Sequence, residues 1–151
     1  MRLFLDINVI LDVLAKREPW FHDSAAVLSL LESEEFEGIA AAHSIATLFY
    51  LTSKHLGRRR ATSKLVDLLD LVSVAPVDQD IILKGLALGW ADFEDALQML
   101  WAITAGADYL VTRNPRDFKS DSVSVITPTE LLTLLRAEIP EEDRDQGFSP
   151  S

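Results

Sequence analysis

The sequence predicts an α/β domain, a mainly parallel sheet with helices packed on both faces. Three observations carry this. Segments of helical period alternate with short apolar runs along most of the chain. Those runs are apolar without alternation, as strands covered on both faces are. No internal repeat or interior linker interrupts the pattern, so one core is expected, and 151 residues are enough to build it.

The elements follow in order. Residues 2–5 (RLFL) read as a short buried strand running into Asp6. Then "NVILDVLAK" predicts a helix, with Asn8 as its cap and Val9, Leu11, Val13 and Leu14 as its apolar face. "REPW" breaks the period, and residues 23–35 (DSAAVLSLLESEE) form an amphipathic helix. Residues 36–43 (FEGIAAAH) are apolar and small-sided and give the second strand. Ser44 starts a helix that stops at Gly57, and residues 58–71 give the next. "VSVAPV", rich in β-branched residues, is the third strand. Asp78 caps a helix over 78–89, and Asp92 opens a stronger one that ends near Gly106. "YLVT" is the fourth strand, residues 113–122 a loop and "VSVIT" the fifth strand. Pro128 begins the last helix. Residues 1–137 are therefore assigned to one domain. Residues 138–151 have no apolar period and read as an acidic, disordered tail.

The formal net charge of −10 counts against a uniformly basic nucleic-acid binder. Charge is unevenly placed, however. The tail holds five acids and one Arg, whereas "SKHLGRRRATSK" holds five Lys/Arg and no acid. That run suggests phosphate contact through Arg58, Arg59 and Arg60, with Lys54, Lys64 or Arg113. The sequence has no cysteine and no apolar run long enough to span a membrane. With no secretion signal evident, a cytoplasmic protein is expected.

In a parallel sheet the loops at the carboxyl ends of the strands form the functional edge. Asp6 ends the first strand there. Ser44 and Thr47 begin the helix after the second. The helix opened by Asp92 feeds the fourth strand and so runs antiparallel to it. About 14 helical residues span roughly 21 Å, against roughly 17 Å for five strand residues. Asp92 and Asp95 therefore return to the same edge, which Thr112, Arg113, Asn114 and Asp117 also occupy. Carboxylates from three segments meet: Asp6, Asp92 with Asp95, and Asp117. Like charges raise each other's pKa, a cost a cation between them removes. Oxygen donors suit Mg2+ or Mn2+, and no histidine stands in these segments, which argues against zinc. Phosphodiester hydrolysis by metal-activated water is the matching reaction class. Helix capping alone would explain Asp92 and Asp95, but three acids in four residues exceed what a cap needs.

Together, "FLDINVILDVL", "DFEDALQ" and "VTRNPRDF" resemble the PIN-domain family, most strongly its bacterial VapC-like branch. The resemblance covers roughly residues 1 to 136. It implies a three-layer α/β/α sandwich and a metal-dependent endoribonuclease, in toxin–antitoxin pairs the toxin. It further implies Asp6, Asp95 and Asp117 as catalytic metal ligands with Asp92 beside them. Asn8, Thr112 and Asn114 would be supporting groups. It also implies an RNA substrate, an antitoxin over the acidic cleft and a homodimer. One position departs: an acid common in the first turn of the helix after strand two is replaced by Thr47, with no acid within three residues on either side. A non-catalytic module binding RNA or protein is therefore the alternative. A phosphoacceptor role for Asp6 is a third reading, weakened because Asn8 stands where a second Asp would be needed.

Overall fold

The computed structural model describes residues 1–119 and 122–138. Five strands form one sheet in the order β3-β2-β1-β4-β5, and every pairing is parallel. They are β1 (Arg2–Leu5), β2 (Glu37–Ala41), β3 (Val72–Ala75), β4 (Tyr109–Val111) and β5 (Ser124–Ile126). Between and after them lie α1 (Ile7–Leu14), α2 (Phe21–Leu30), α3 (Ala42–Leu56), α4 (Arg58–Leu71), α5 (Gln79–Ala87), α6 (Phe93–Thr104) and α7 (Pro128–Ala137).

In the inner strands β1, β2 and β4 side chains alternate between two buried faces, which is why they are apolar without alternation. The outer strands β3 and β5 are partly exposed and carry Ser73 and Ser124. Leu3 and Leu5 point into a core with Val9, Ile10, Val27, Leu48, Leu65 and Leu131, contributed by α1, α2, α3, α4 and α7. Phe4 and Leu110 point the other way, onto Met99 and Ala102 of α6, and α5 packs on α6. This is the three-layer sandwich expected.

The chain moves outward from β1 through β2 to β3, then returns to place β4 on β1's other side. The direction reverses between β1 and β4, and the crevice at such a reversal lies at the carboxyl ends of the strands. Asp6 extends β1 there, its N–H bonded to the Val111 carbonyl at 3.0 Å.

Several expected boundaries move. The N-cap position of α1 is taken by Asp6, not Asn8, which sits inside the first turn. The second helix begins at Phe21 and stops at Leu30, because turn bonds from Glu32 to Ser29 and from Ser33 to Leu30 end it before the glutamates. β2 is shorter than 36–43: Ala42 and His43 already belong to α3, consistent with alanine's helical preference. Within the expected loop after β4, Pro115–Asp117 forms a 3-10 turn. Asp78 and Asp92 cap their helices and Pro128 begins α7 as expected, with Thr127 as its cap accepting the Glu130 N–H.

Gly57 separates α3 from α4 with φ 85° and ψ 157°, a conformation essentially confined to glycine. It allows the two helices to fold against each other as a hairpin. Of the expected tail, residues 139–151 lie outside the described residues.

Leu110 is fully buried at the centre of the sheet. Leu110→Ala is expected to lower unfolding stability by about 2–5 kcal/mol. Urea denaturation checks it, and a shift under about 0.5 kcal/mol would contradict the core described.

Candidate active site

Asp6 is almost fully buried, 4% exposed, although it carries a carboxylate. Its side chain makes no cap bond to α1. Instead Oδ2 accepts the Thr112 hydroxyl at 2.8 Å and Oδ1 accepts the Gln98 amide at 3.2 Å, both within the interior. β4 supplies Thr112 by ending beside β1. α6 supplies Gln98, one turn beyond Asp95, so both face the sheet's edge. Thr112 is itself fixed, since its Oγ1 accepts the Asn114 N–H at 3.2 Å.

Asp95 stands in the first turn of α6, which Asp92 caps by accepting the Asp95 N–H at 3.1 Å. Burial pushes its carboxyl up to about 7, and the charges of Asp92, Asp6, Asp117 and Glu94 add to the rise. These acids come from β1, α6 and the turn after β4. Asp92, Asp95 and Asp117 line one cleft of about 640 Å³ with Trp90, Arg116 and Lys119.

Glu94 faces α3. Its Oε1 accepts the Ser44 hydroxyl at 3.3 Å and lies 3.8 Å from His43 Nε2. Burial lowers the His43 pKa, with Glu94 acting against that shift. Beside the cleft, Asp12 of α1 is wholly buried. Arg17 Nε donates to its Oδ1 at 2.9 Å, and Arg113 Nε pairs with Oδ2 at 3.1 Å without hydrogen-bond alignment. Arg113 also lies 4.0 Å over the Trp20 ring. Burial raises the Asp12 pKa, and the two guanidiniums oppose it.

The site can therefore collect negative charge, and its donors are the oxygens that hard divalent cations prefer. Among the described residues, however, no three carboxylate or imidazole groups are close enough to close around one ion. The fit to a cation is one of charge and donor type, not of a preformed cage.

The sequence profile of the PIN domain family matches residues 2–116. The chain belongs to the PIN domain family. A curated relative, Ribonuclease VapC1 of Aquifex aeolicus (strain VF5), is 25% identical over 134 residues, spanning 85% of this chain and 92% of its own. Among solved structures, VapBC2 from Rickettsia felis, bound to a DNA fragment from its promoter, superposes with TM-score 0.64. It is 19% identical, covering 84% of this chain and 98% of the other. Mycobacterium tuberculosis VapC20, a Sarcin-Ricin loop cleaving toxin, gives 0.59 at 13% identity, covering 72% and 86%. At these identities the superpositions show a shared fold.

The geometry of this PIN domain departs from the sequence reading at several residues. Arg113 does not face outward for phosphate: a wholly buried Asp12 needs a cation, and Arg113 supplies it with 15% of its side chain exposed. Asn8 neither caps α1 nor touches Asp6. Its Oδ1 accepts from Arg17 at 3.3 Å. Thr47 is exposed and lies beyond the first turn of α3, because that helix starts at Ala42, and Ser44 is the residue delivered to the acids. Arg58, Arg59 and Arg60 are exposed at the far end of α3, roughly 20 Å from Ser44 by helical rise. Lys54 lies on the same exposed end, its Nζ 4.6 Å over the Tyr50 ring. Asn114 and Asp117 are exposed after β4, Asp117 within reach of Asp95 electrostatically.

Gln98, His43, Arg17 and Trp20 were not singled out as contributors, nor was the ion-pair role of Asp12. Gln98 left one signal, an amide flanked by Leu97 and Met99 in an apolar helix. His43 left none, because α3 begins earlier than its cap pattern suggests.

Two outcomes follow for this PIN domain. The folded state favours protonated Asp95, whereas unfolding returns its carboxyl to about 3.8. Without divalent cation, its contribution to stability falls as pH rises from about 4 to about 7 and then levels off. His43 works in the opposite direction, so thermal melts of wild type and Asp95→Asn in chelator isolate the effect: the variant gains most above pH 7. A variant advantage that does not grow with pH would contradict the crowding described. Asp12→Ala leaves Arg113 without its partner and is expected to cost about 3–5 kcal/mol by chemical denaturation.

Proposed function

We propose that the chain is a divalent-metal-dependent endoribonuclease and the toxin half of a toxin–antitoxin pair. The observation that carries this reading is Asp95, half-buried and crowded by Asp92, Asp6, Asp117 and Glu94, with its carboxyl pushed up to about 7. A fold that merely needed a helix cap would not gather four further acids around it. The relative named Ribonuclease VapC1, aligned over most of both chains, supports RNA as the substrate.

Mg2+ or Mn2+ would be held by Asp6 and Asp95, with Asp92 and Asp117 alongside. When bound, the ion supplies charge neutralisation and Lewis acidity for attack of water on a phosphodiester. The chain's own groups have separate tasks. Thr112 and Gln98 hold both Asp6 oxygens and so fix the carboxylate's orientation. Ser44 anchors Glu94 beside Asp95. Arg116 and Lys119 line the same cleft and offer charge to RNA phosphates. The solved neighbours from Rickettsia felis and Klebsiella pneumoniae, described as VapBC2 and as a toxin–antitoxin complex, support an antitoxin partner. A basic segment would suit this cleft. Leu83 and Leu86 of α5, both more than half exposed, offer apolar surface for a homodimer.

A second reading, a PIN module that binds RNA or protein without cutting it, is favoured by one observation. Among the described residues no three donors are close enough to share an ion, and Thr47 stands where an acid is common.

One assay separates the two. Wild type is expected to cut RNA with Mn2+ and to lose cleavage in chelator. Asp6→Asn and Asp95→Asn should each reduce the rate about 100-fold or more. Equal activity in all three proteins would identify a contaminating nuclease. Absence of Mn2+ binding by calorimetry, together with absence of cleavage, would leave the binding module.

A further inference from the structure

We propose that the tip of the α3–α4 hairpin is a second RNA-binding surface, remote from the acidic cleft. It grips backbone phosphates, so that one RNA strand or stem spans both places. The proposal rests on the nuclease reading for the cleft, and its own support is separate.

Residues 53–64 carry five Lys/Arg and no acid in a chain of net charge −10. The fold gathers these cations at one protrusion. Lys54 and His55 are exposed in the last turn of α3, and Arg58, Arg59 and Arg60 are exposed in the first turn of α4. Gly57 between them offers no side chain, and α4 has neither an acid in its first turn nor a side-chain cap. Three guanidiniums at the positive end of a helix oppose its dipole, an arrangement folding alone disfavours. An anion removes the conflict. Unlike Arg113 and Arg17, each paired with Asp12, this triplet faces solvent.

The surface has a second component. Tyr50 is 57% exposed on α3, and Lys54, one turn on, lies 4.6 Å over its ring. A flat aromatic beside a row of cations is the combination that holds a nucleic-acid strand, through base stacking and phosphate pairing. Guanidinium forks match phosphate oxygens in pairs.

Position sets the shortest RNA that reaches both places. Ser44, bonded to Glu94 at the cleft, lies near the start of α3, and Leu56 ends it. The helix between them rises roughly 18 Å. At about 3.4 Å per duplex step, roughly five base steps cover that distance. A dinucleotide at the cleft cannot also touch the tip, whereas a longer RNA, a stem-loop included, can. The acidic remainder of the chain repels RNA elsewhere, so the tip also orients the approach.

The test uses full-length protein carrying Asp95→Asn, which binds without cutting, and an RNA hairpin with a stem of about ten base pairs. Affinity is measured across a salt series. Adding Arg58→Glu, Arg59→Glu and Arg60→Glu should weaken binding about tenfold or more at low salt. It should also reduce the slope of log affinity against log salt by about 3. Acids in the first turn favour α4, so thermal stability should hold or rise. Should it fall, Lys54→Gln with Lys64→Gln carries the test, with an expected slope reduction of about 2. Unaltered affinity and slope in a stable variant would overturn the proposal. So would poly-glutamate displacing the hairpin from the unreversed protein at equal charge, which would make the tip a dock for an acidic protein. If the wild-type chain fails to cut RNA yet the slope changes as stated, the nuclease reading falls and the tip remains.

Discussion

The crowding of negative charge around Asp95 is the constraint on which the functional edge depends. Bringing a carboxylate into a partly dry crevice is costly, and surrounding it with other carboxylates is costlier. The sheet forces the encounter. β1 and β4 lie side by side because the chain reverses direction between them, so the residues that end both strands share one crevice. α6 must run back to feed β4, and its N-cap Asp92 with the two acids of its first turn is delivered to the same place. The crowding is thus a product of topology, with Thr112 and Gln98 holding Asp6 in it.

A second buried acid makes the contrast plain. Asp12 is as inaccessible as Asp6, but the chain surrounds it with Arg17 and Arg113. Neutralising a buried carboxylate from within is evidently open to this fold. Among the described residues the side chains bonded to the Asp6 carboxylate are neutral donors, and the charges of Asp92, Asp6, Asp117 and Glu94 raise the Asp95 pKa. The difference separates an ion pair that secures α1 to the β4 loop from a cluster of acids that raise one another's pKa. The protein thus presents two oppositely charged surfaces, an acidic cleft and a basic hairpin tip.

Much of this was legible along the chain. The alternation of elements and the two-sided apolar strands follow from local composition, so the sandwich could be read directly. The carboxyl-edge placement of Asp6, Asp92, Asp95 and Asp117 followed from connectivity and lengths. Legibility failed where a side chain had two possible partners. Arg113 reads as a free cation until the buried Asp12 claims it, and Asn8 reads as a cap until Asp6 occupies that position. Thr47 and Ser44 differ by three residues, and a helix start two residues earlier than its cap pattern suggests decides which of them meets the acids.

By itself the sequence determined the layered fold, the family and the carboxylates that share an edge, because hydrophobic period and strand-helix connectivity are local properties that survive any detail of packing. Only the tertiary structure decided which polar atoms meet. The Gln98 and Thr112 bonds to Asp6 and the capture of Arg113 by Asp12 join residues 92 to 106 positions apart. Rotamers and helix ends settle such encounters, and neither is written in residue type.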